Sequence, residues 1–189
     1  ETPDPRFYFA ARPHEHAFRQ LSWALEFHKG FVLVSGEAGS GKTTLSRVLY
    51  EAYRDEAGFA FILNPSLSCA ELFRAICREF GVSEPSPDLL NRALLERAGR
   101  GLRNVLVIDE AQAMSDSSLE FVRLLTNLET DNRKLLQVIF FAQPELSQRM
   151  AQSRLRQLEQ RLQLKVTLGP LSAEDTAAYI RHRLEKGVR

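Results

Sequence analysis

The sequence predicts an α/β fold in which a parallel sheet is wound between helices on both faces. Three observations predict it. Four short apolar runs, "FVLVS" (31–35), "FAFIL" (59–63), "NVLVI" (104–108) and "LLQVIFFA" (135–142), do not alternate apolar with polar, as strands covered on both faces do not. Helical patterns separate them, and strands alternating with helices specify this class. The glycine-rich stretch "GEAGSGKTT" (36–44) follows the first run directly and opens a helix pattern, "TTLSRVLYEAY".

Taken in order, the elements justify themselves locally. In "AELFRAICREF", Leu72, Phe73, Ile76, Cys77 and Phe80 fall on one stripe at helical spacing. Ser68 and Glu71 have the spacing of a capping box at its start, and Gly81 supplies a stop. "EPSPD" (84–88) reads as a loop before another helix. "SSLEFVRLLTNLE" (117–129) is a helix expected to be capped by Asp116 or Ser117. A weaker fifth run, "LKVTL" (164–168), comes late. The last helix, "SAEDTAAYIRHRLEK" (172–186), follows "GP" (169–170), with Ser172 and Asp175 spaced as a capping box. The junction divides the chain into a core over 1–169 and, over 170–189, the first helix of a second, helical subdomain that the sequence does not complete.

The bulk composition narrows the class. The 189 residues suffice for one domain with a full core, and 44% hydrophobic with 26% charged residues is ordinary for a globular chain. The net charge of +1 argues neither for nor against nucleic acid. The stretch 145–189 carries more Lys/Arg than Asp/Glu, which reads more simply as a solvated helical surface than as a phosphate-binding face. Cys69 and Cys77 lie eight residues apart on one predicted helix, too far along it to bridge, so reduced thiols are expected. No apolar run reaches the roughly 18 residues of a membrane span. The chain starts at Glu1 and shows no signal peptide, so a trimmed or excised piece with no membrane contact of its own is expected.

The motif Gly36-x-x-x-x-Gly41-Lys42-Thr43 is complete. Gly36, Gly39 and Gly41 let the backbone bend around an anion, and the N–H groups of Glu37, Ala38, Gly39, Ser40, Gly41 and Thr44, at a helix N-terminus, face the phosphates. Lys42 supplies a point charge to the β/γ oxygens, and the Thr43 hydroxyl can sit on Mg²⁺. "NVLVIDEAQ" ends a strand on Asp109 and Glu110. The aspartate can hold Mg²⁺ through water, and the glutamate can orient and deprotonate the attacking water. Hydrolysis, rather than binding alone, is therefore expected. No Asn-Lys-x-Asp guanine-reading motif occurs, so ATP is favoured over GTP.

The run "FAFIL" lies in the chain between the phosphate-loop strand and the Asp109 strand. That predicts an extra strand between those two in the sheet, as in the catalytic-glutamate branch of P-loop ATPases. Gln143, after "FFA", would lie near the γ-phosphate, to sense it or position the water. Asn64, at the end of the second strand, could hold Glu110 away from the water until a partner engages. In "SRLRQLEQRLQL" (153–164), Leu155, Leu158 and Leu162 read as a core stripe, flanked by Arg154, Arg156 and Arg161. Arg161, just before the fifth strand, sits where oligomeric ATPases place an arginine that reaches a neighbour's nucleotide; Arg156 is the weaker candidate. An arginine there can be worth orders of magnitude in rate.

Together these residues resemble the AAA+ ATPases of the ExeA/GspA type, over nearly the whole chain. "DPRFYFAARPHEHAFRQLSWAL", "GFVLVSGEAGSGKTTL", "VLVIDEAQAMS", "LLTNLETDNRKLLQVIFFAQPEL" and "LRQLEQRLQLKVTLGPLSAEDTAAYIRHRL" look like that family's successive blocks. The resemblance implies an αβα sandwich with a five-stranded parallel sheet in the order 5-1-4-3-2, and the start of a helical lid. It implies an ATP- and Mg²⁺-dependent ATPase that forms ATP-dependent homo-oligomers. It also implies envelope or secretion-system partners: the type II secretion secretin, or related pilus and exopolysaccharide machinery. The location implied is cytoplasmic, or the cytoplasmic domain of an inner-membrane protein. The family's lid arginine would fall after Arg189. In AAA+ folds the approach to the phosphate loop passes the adenine, so one of Phe7, Tyr8 and Phe9 could stack on the base; a core-anchoring aromatic cluster is the competing role.

Three other readings stay open. A transposition-type AAA+ regulator shares much of this core and binds DNA in an ATP-dependent manner, although nucleic acid is the less favoured partner. A monomeric kinase predicts phosphoryl transfer to an added acceptor. An ATP-gated scaffold predicts assembly driven by binding, with slow turnover.

Overall fold

The computed structural model describes residues 9–130 and 133–187. In chain order the elements are α1 (Arg12–Glu26), β1 (Phe31–Gly36), α2 (Lys42–Tyr53), β2 (Ala57–Ile62), α3 (Cys69–Glu79), α4 (Pro87–Gly99) and β3 (Arg103–Ile108). After them come α5 (Asp116–Leu125), β4 (Glu129–Thr130), β5 (Arg133–Lys134), β6 (Gln137–Ala142), α6 (Pro144–Met150), α7 (Arg156–Glu159), β7 (Leu162–Leu168) and α8 (Ala173–Gly187). Five strands form one sheet in the order β2-β3-β6-β1-β7, parallel throughout, which in main-strand count is the expected 5-1-4-3-2. The short strands β4 and β5 pair antiparallel as a separate hairpin.

The absence of alternation in the central runs has a direct cause. Phe31 and Leu33 of β1, Leu106 and Ile108 of β3, and Val138 and Phe140 of β6 face one core, against α3, α4, α5 and α6. Their neighbours Val32, Val34, Val105, Val107, Ile139 and Phe141 face a second core, against α1 and α2. Each such side chain contributes about 1.5–3 kcal/mol by leaving water. The edge strand β7 does alternate, with Val166 and Leu168 buried and Gln163, Lys165 and Thr167 exposed, which is why its run is weak in the sequence.

Several boundaries differ from the sequence expectation. The strand lying between β1 and β3 in the sheet is β6; β2, the "FAFIL" strand, lies outside β3 at the edge. It starts at Ala57, paired with Arg103, and leaves Leu63 outside and exposed. The cap of α5 is Ser115, whose Oγ accepts from Ser118 N at 3.1 Å, rather than Asp116 or Ser117. That helix ends at Leu125, where Thr126 Oγ1 donates to Arg123 O. The core stripe expected over 153–164 is present, with Leu155 and Leu158 buried and Leu162 packed against the same core. A 3₁₀ turn (Ser153–Leu155) and the single turn α7 bury Leu155 and Leu158, and Leu162 already begins β7, paired with Phe31.

Other local readings stand as expected. Ser68 and Glu71 form the full capping box of α3, and the chain leaves that helix at Gly81, φ +77°. Leu72, Ile76, Cys77 and Phe80 are buried along its stripe, while Phe73 meets Phe121 edge-on at 6.0 Å. Cys69 and Cys77 are free thiols, the second buried. Ser172 Oγ accepts from Asp175 N at the start of α8. Among the described residues, no helix is long and apolar enough to cross a membrane.

Candidate functional site, a phosphate loop facing two carboxylates

The parallel sheet sends the ends of β1, β3 and β6 to one edge, where ligands bind in such folds. The phosphate loop leaves β1 there and enters α2. Gly39 and Gly41 take left-handed backbone angles, φ +77° and +87°. A Cβ on Gly41 would stand 2.6 Å from His14 Nε2, and one on Gly36 would stand 2.6 Å from Ser40 Oγ. His14, from α1, braces the loop further: its Nε2 lies 2.8 Å from Ser40 O.

Lys42 is buried at 4% exposure, an unusual place for an ammonium without partners. Its Nζ donates to Gly36 O and Glu37 O, both at 2.8 Å, so the ammonium lies along the inside of its own loop. Thr43 Oγ1 donates to Asp109 Oδ2 at 2.6 Å, joining the start of α2 to the end of β3. Asp109 is also buried at 4%, and its second oxygen accepts from Glu110 N at 3.0 Å. A hydroxyl and a carboxylate this close are hard oxygen donors of the kind Mg²⁺ takes, so the residues present fit that ion.

Glu110 is exposed and adopts φ 50°, ψ 38°, a left-handed conformation that costs a non-glycine residue about 1 kcal/mol. Its carboxylate accepts from Gln112 Nε2. Gln143 caps α6 at the end of β6, and its backbone N–H donates to Gln112 Oε1 at 3.0 Å. The structure thus brings Lys42, Thr43, Asp109, Glu110 and Gln143 to one edge of the sheet.

Asn64 lies beyond β2, exposed, with its Oδ1 accepting from Ser66 N at 3.4 Å; the side chain bonded to Glu110 is that of Gln112. Arg161 precedes β7 and is held at the end of α5, donating to Asn127 Oδ1 at 2.7 Å and Thr126 Oγ1 at 3.4 Å. Nearby, the Arg123 guanidinium hydrogen-bonds Glu120 and holds its carboxyl below the usual range, with Arg161 adding attraction. Arg156 is exposed on α7.

Beside the phosphate loop opens a cavity of about 510 Å³, within the range of small-molecule sites. Glu37 to Gly41 and Thr44 form one wall, and the β7–α8 connection, Leu168 to Leu171, forms another. Phe9, Tyr179 and Arg183 also line it, with Ala11 and His14. Phe9 lies 6.3 Å from the Tyr179 ring and 5.6 Å from that of His182. Of the three aromatics expected near the base, Phe9 therefore lines the cavity; Phe7 and Tyr8 lie outside the described residues. Sequence reasoning missed His14, Gln112, Tyr179 and Arg183. His14 meets Ser40, 26 residues away, and Gln112 joins its near neighbour Glu110 to Gln143, 31 residues away, a link that no local pattern announces.

The sequence profile of the AAA domain family matches residues 25–150, from the end of α1 to the end of α6. This chain belongs to the AAA domain family. It carries an AAA+ ATPase domain related to General secretion pathway protein A of Aeromonas hydrophila, which is 44% identical over 97% of this chain. The chain spans 35% of that relative's length. Among solved structures, Cdc6p from Pyrobaculum aerophilum superposes with a TM-score of 0.71 at 20% identity, covering 97% of this chain and 53% of that one. The Aeropyrum pernix ORC2 protein, in ADPNP–ADP complexes, gives 0.68 at 16% identity, over 95% and 55%. A point mutant of Thermotoga maritima RuvB gives 0.60 at 16%, over 91% and 51%. At these identities the structures show the shared fold. The five-stranded order seen in this AAA domain is the one the resemblance implied.

Proposed function

We infer that this domain binds ATP with Mg²⁺, hydrolyses it in a self-associated state, and uses turnover to drive or switch assembly of a bacterial envelope complex. The observation that carries the reading is the convergence of Lys42, the Thr43–Asp109 pair and Glu110 at one edge of the sheet. Residues 1–169 act as the nucleotide-binding core, and 170–189 contribute the first lid helix.

Each residue has a task its chemistry allows. The loop from Gly36 to Thr44 binds the phosphates through backbone N–H groups and the helix N-terminus. Lys42 exchanges its two carbonyl partners for β- and γ-phosphate oxygens. Mg²⁺, held from Thr43 and, through water, from Asp109, supplies charge neutralisation on those phosphates when bound. Glu110 takes the proton of the attacking water, and Gln143 meets the terminal phosphate from the end of β6. Phe9 stacks on the base across the cavity mouth. Asn64 acts as a restraint on Glu110 after a change of partner. Arg161 reaches a neighbouring subunit's nucleotide on leaving Asn127, with Arg156 the second candidate for that task.

The envelope role follows the name of the 44% identical relative, General secretion pathway protein A. Type II secretion is the first system to test, and pilus or exopolysaccharide machinery the next. The cellular setting that fits is the cytoplasmic side of the inner membrane. Measuring the ATPase rate against protein concentration, with and without DNA, tests the reading. A rate per subunit that rises with concentration and ignores DNA supports it. DNA-dependent turnover with steep salt sensitivity favours the transposition-type regulator instead.

A further inference from the structure

Glu110 does not stand alone at the end of β3. Its left-handed turn directs the 3₁₀ segment Ala111–Ala113 back across the sheet edge. Gln112 then reaches in two directions. Its Nε2 donates to Glu110 Oε2, and its Oε1 accepts from the backbone N–H of Gln143 at 3.0 Å. The two partners close strands β3 and β6, which are neighbours in the sheet. The turn is also clamped from behind by α6. Arg149 donates to Gln112 O at 2.7 Å, to Met114 O at 3.0 Å and to Asp116 Oδ1 at 2.7 Å.

The chemistry explains why an amide stands here. One end must donate to a carboxylate and the other must accept from an N–H. A carboxamide offers both from one planar group, and these two partners fix which end is which. A glutamate could satisfy only Gln143, and an apolar side chain neither.

The geometry points to Gln112 as a positioning residue for hydrolysis. It occupies one oxygen of Glu110, orients the other toward water, and ties that setting to the end of β6, where Gln143 meets the terminal phosphate. The logic is that of a base held by a third group. A shift of Gln143 on meeting phosphate then moves the base through a single side chain. This inference rests on the ATPase reading.

Two substitutions separate the ends of the bridge. Gln112→Glu keeps an acceptor for Gln143 N but sets a second carboxylate against Glu110. Gln112→Met keeps the length and offers neither bond. Steady-state kcat and KM, and ATP affinity by equilibrium titration, are measured for each alone and combined with Glu110→Gln. Both single variants should lose at least about tenfold in kcat, because a small misplacement of a reacting group is costly. KM and ATP affinity should stay within about threefold. Added to Glu110→Gln, neither should lower the residual rate further, since the positioned group is already gone.

An unchanged kcat in either single variant overturns the inference. So does a rise in KM or a fall in ATP affinity that accounts for the loss, or a loss that multiplies onto that of Glu110→Gln. Absence of turnover in the unaltered protein above a Lys42→Ala control overturns the ATPase reading and this inference together. Normal turnover with indifferent Gln112 variants overturns this inference alone.

Discussion

Thr43 Oγ1 donates to Asp109 Oδ2 at 2.6 Å, across 66 residues of chain. The bond joins the first turn of α2 to the end of β3, so the fold itself sets the two oxygen donors suited to Mg²⁺ side by side. Thr43→Val keeps the shape and removes the hydroxyl. It should raise the Mg²⁺ concentration for half-maximal ATPase activity at least about tenfold, whereas Thr43→Ser should stay near the unaltered protein. A magnesium titration of the rate checks this.

Lys42→Ala should abolish measurable ATP binding. The buried ammonium supplies positive charge on the inner side of the loop in the proposed site, and its removal also frees two carbonyls. Equilibrium titration with a fluorescent ATP analogue provides the measurement, and unaltered affinity in this variant would refute the assignment.

Gly41→Ala should weaken ATP binding without disrupting the two cores. The position has φ +87°, and the added methyl would stand 2.6 Å from His14 Nε2, so the loop or the His14 ring that braces it must shift. Affinity should fall about tenfold or more, while the melting temperature falls by only a few degrees, as expected of a local strain of about 1–2 kcal/mol. Parallel thermal melts and ATP titrations separate the two effects.

Arg161→Ala should lower the rate only under conditions where the protein self-associates. Mixing it with Glu110→Gln should restore part of the activity, because one mixed interface then carries both an intact base and an intact arginine. A variant that keeps its rate at every concentration would remove Arg161 from the site and leave it as a clamp on Asn127.

Glu120 offers a pH test of the same corner. Its carboxyl is held below its ordinary value of 4.5, first by the hydrogen bonds from Arg123 and then by the charges of Arg123 and Arg161. A depressed carboxylate contributes stability that is present above its unfolded value and lost as pH falls through the folded one. Melting temperature should therefore fall more steeply with pH below 4.5 in the unaltered protein than in Glu120→Gln. Equal slopes would show that the pair contributes nothing.

What the sequence reveals depends on how far apart the interacting residues lie. The central strands and the capping box of Ser68 and Glu71 are legible because their causes are local: burial on both faces, or a partner three residues away. The core role of Leu155, Leu158 and Leu162 is legible from their spacing, but the start of β7 at Leu162 is set by its pairing with Phe31 in the neighbouring strand. The order of the strands, with β6 rather than β2 between β1 and β3, is likewise a property of the whole sheet. In the site, the phosphate loop and the Asp109–Glu110 pair announce themselves by motif. Gln112 looks like an ordinary residue of a turn until β6 brings Gln143 to its side chain. Asn64, just past the end of β2, accepts from Ser66 N rather than from any group of the phosphate loop or Glu110 among the bonds seen.

The central claim is that Glu110 makes this an ATP-hydrolysing site rather than a nucleotide-gated scaffold. Single-turnover hydrolysis by Glu110→Gln, measured beside its ATP affinity, tests it most directly. The account predicts ATP affinity within about threefold of the unaltered protein and a hydrolysis rate lower by roughly 10²–10⁴-fold. Hydrolysis at the unaltered rate, with ATP bound normally, would contradict it.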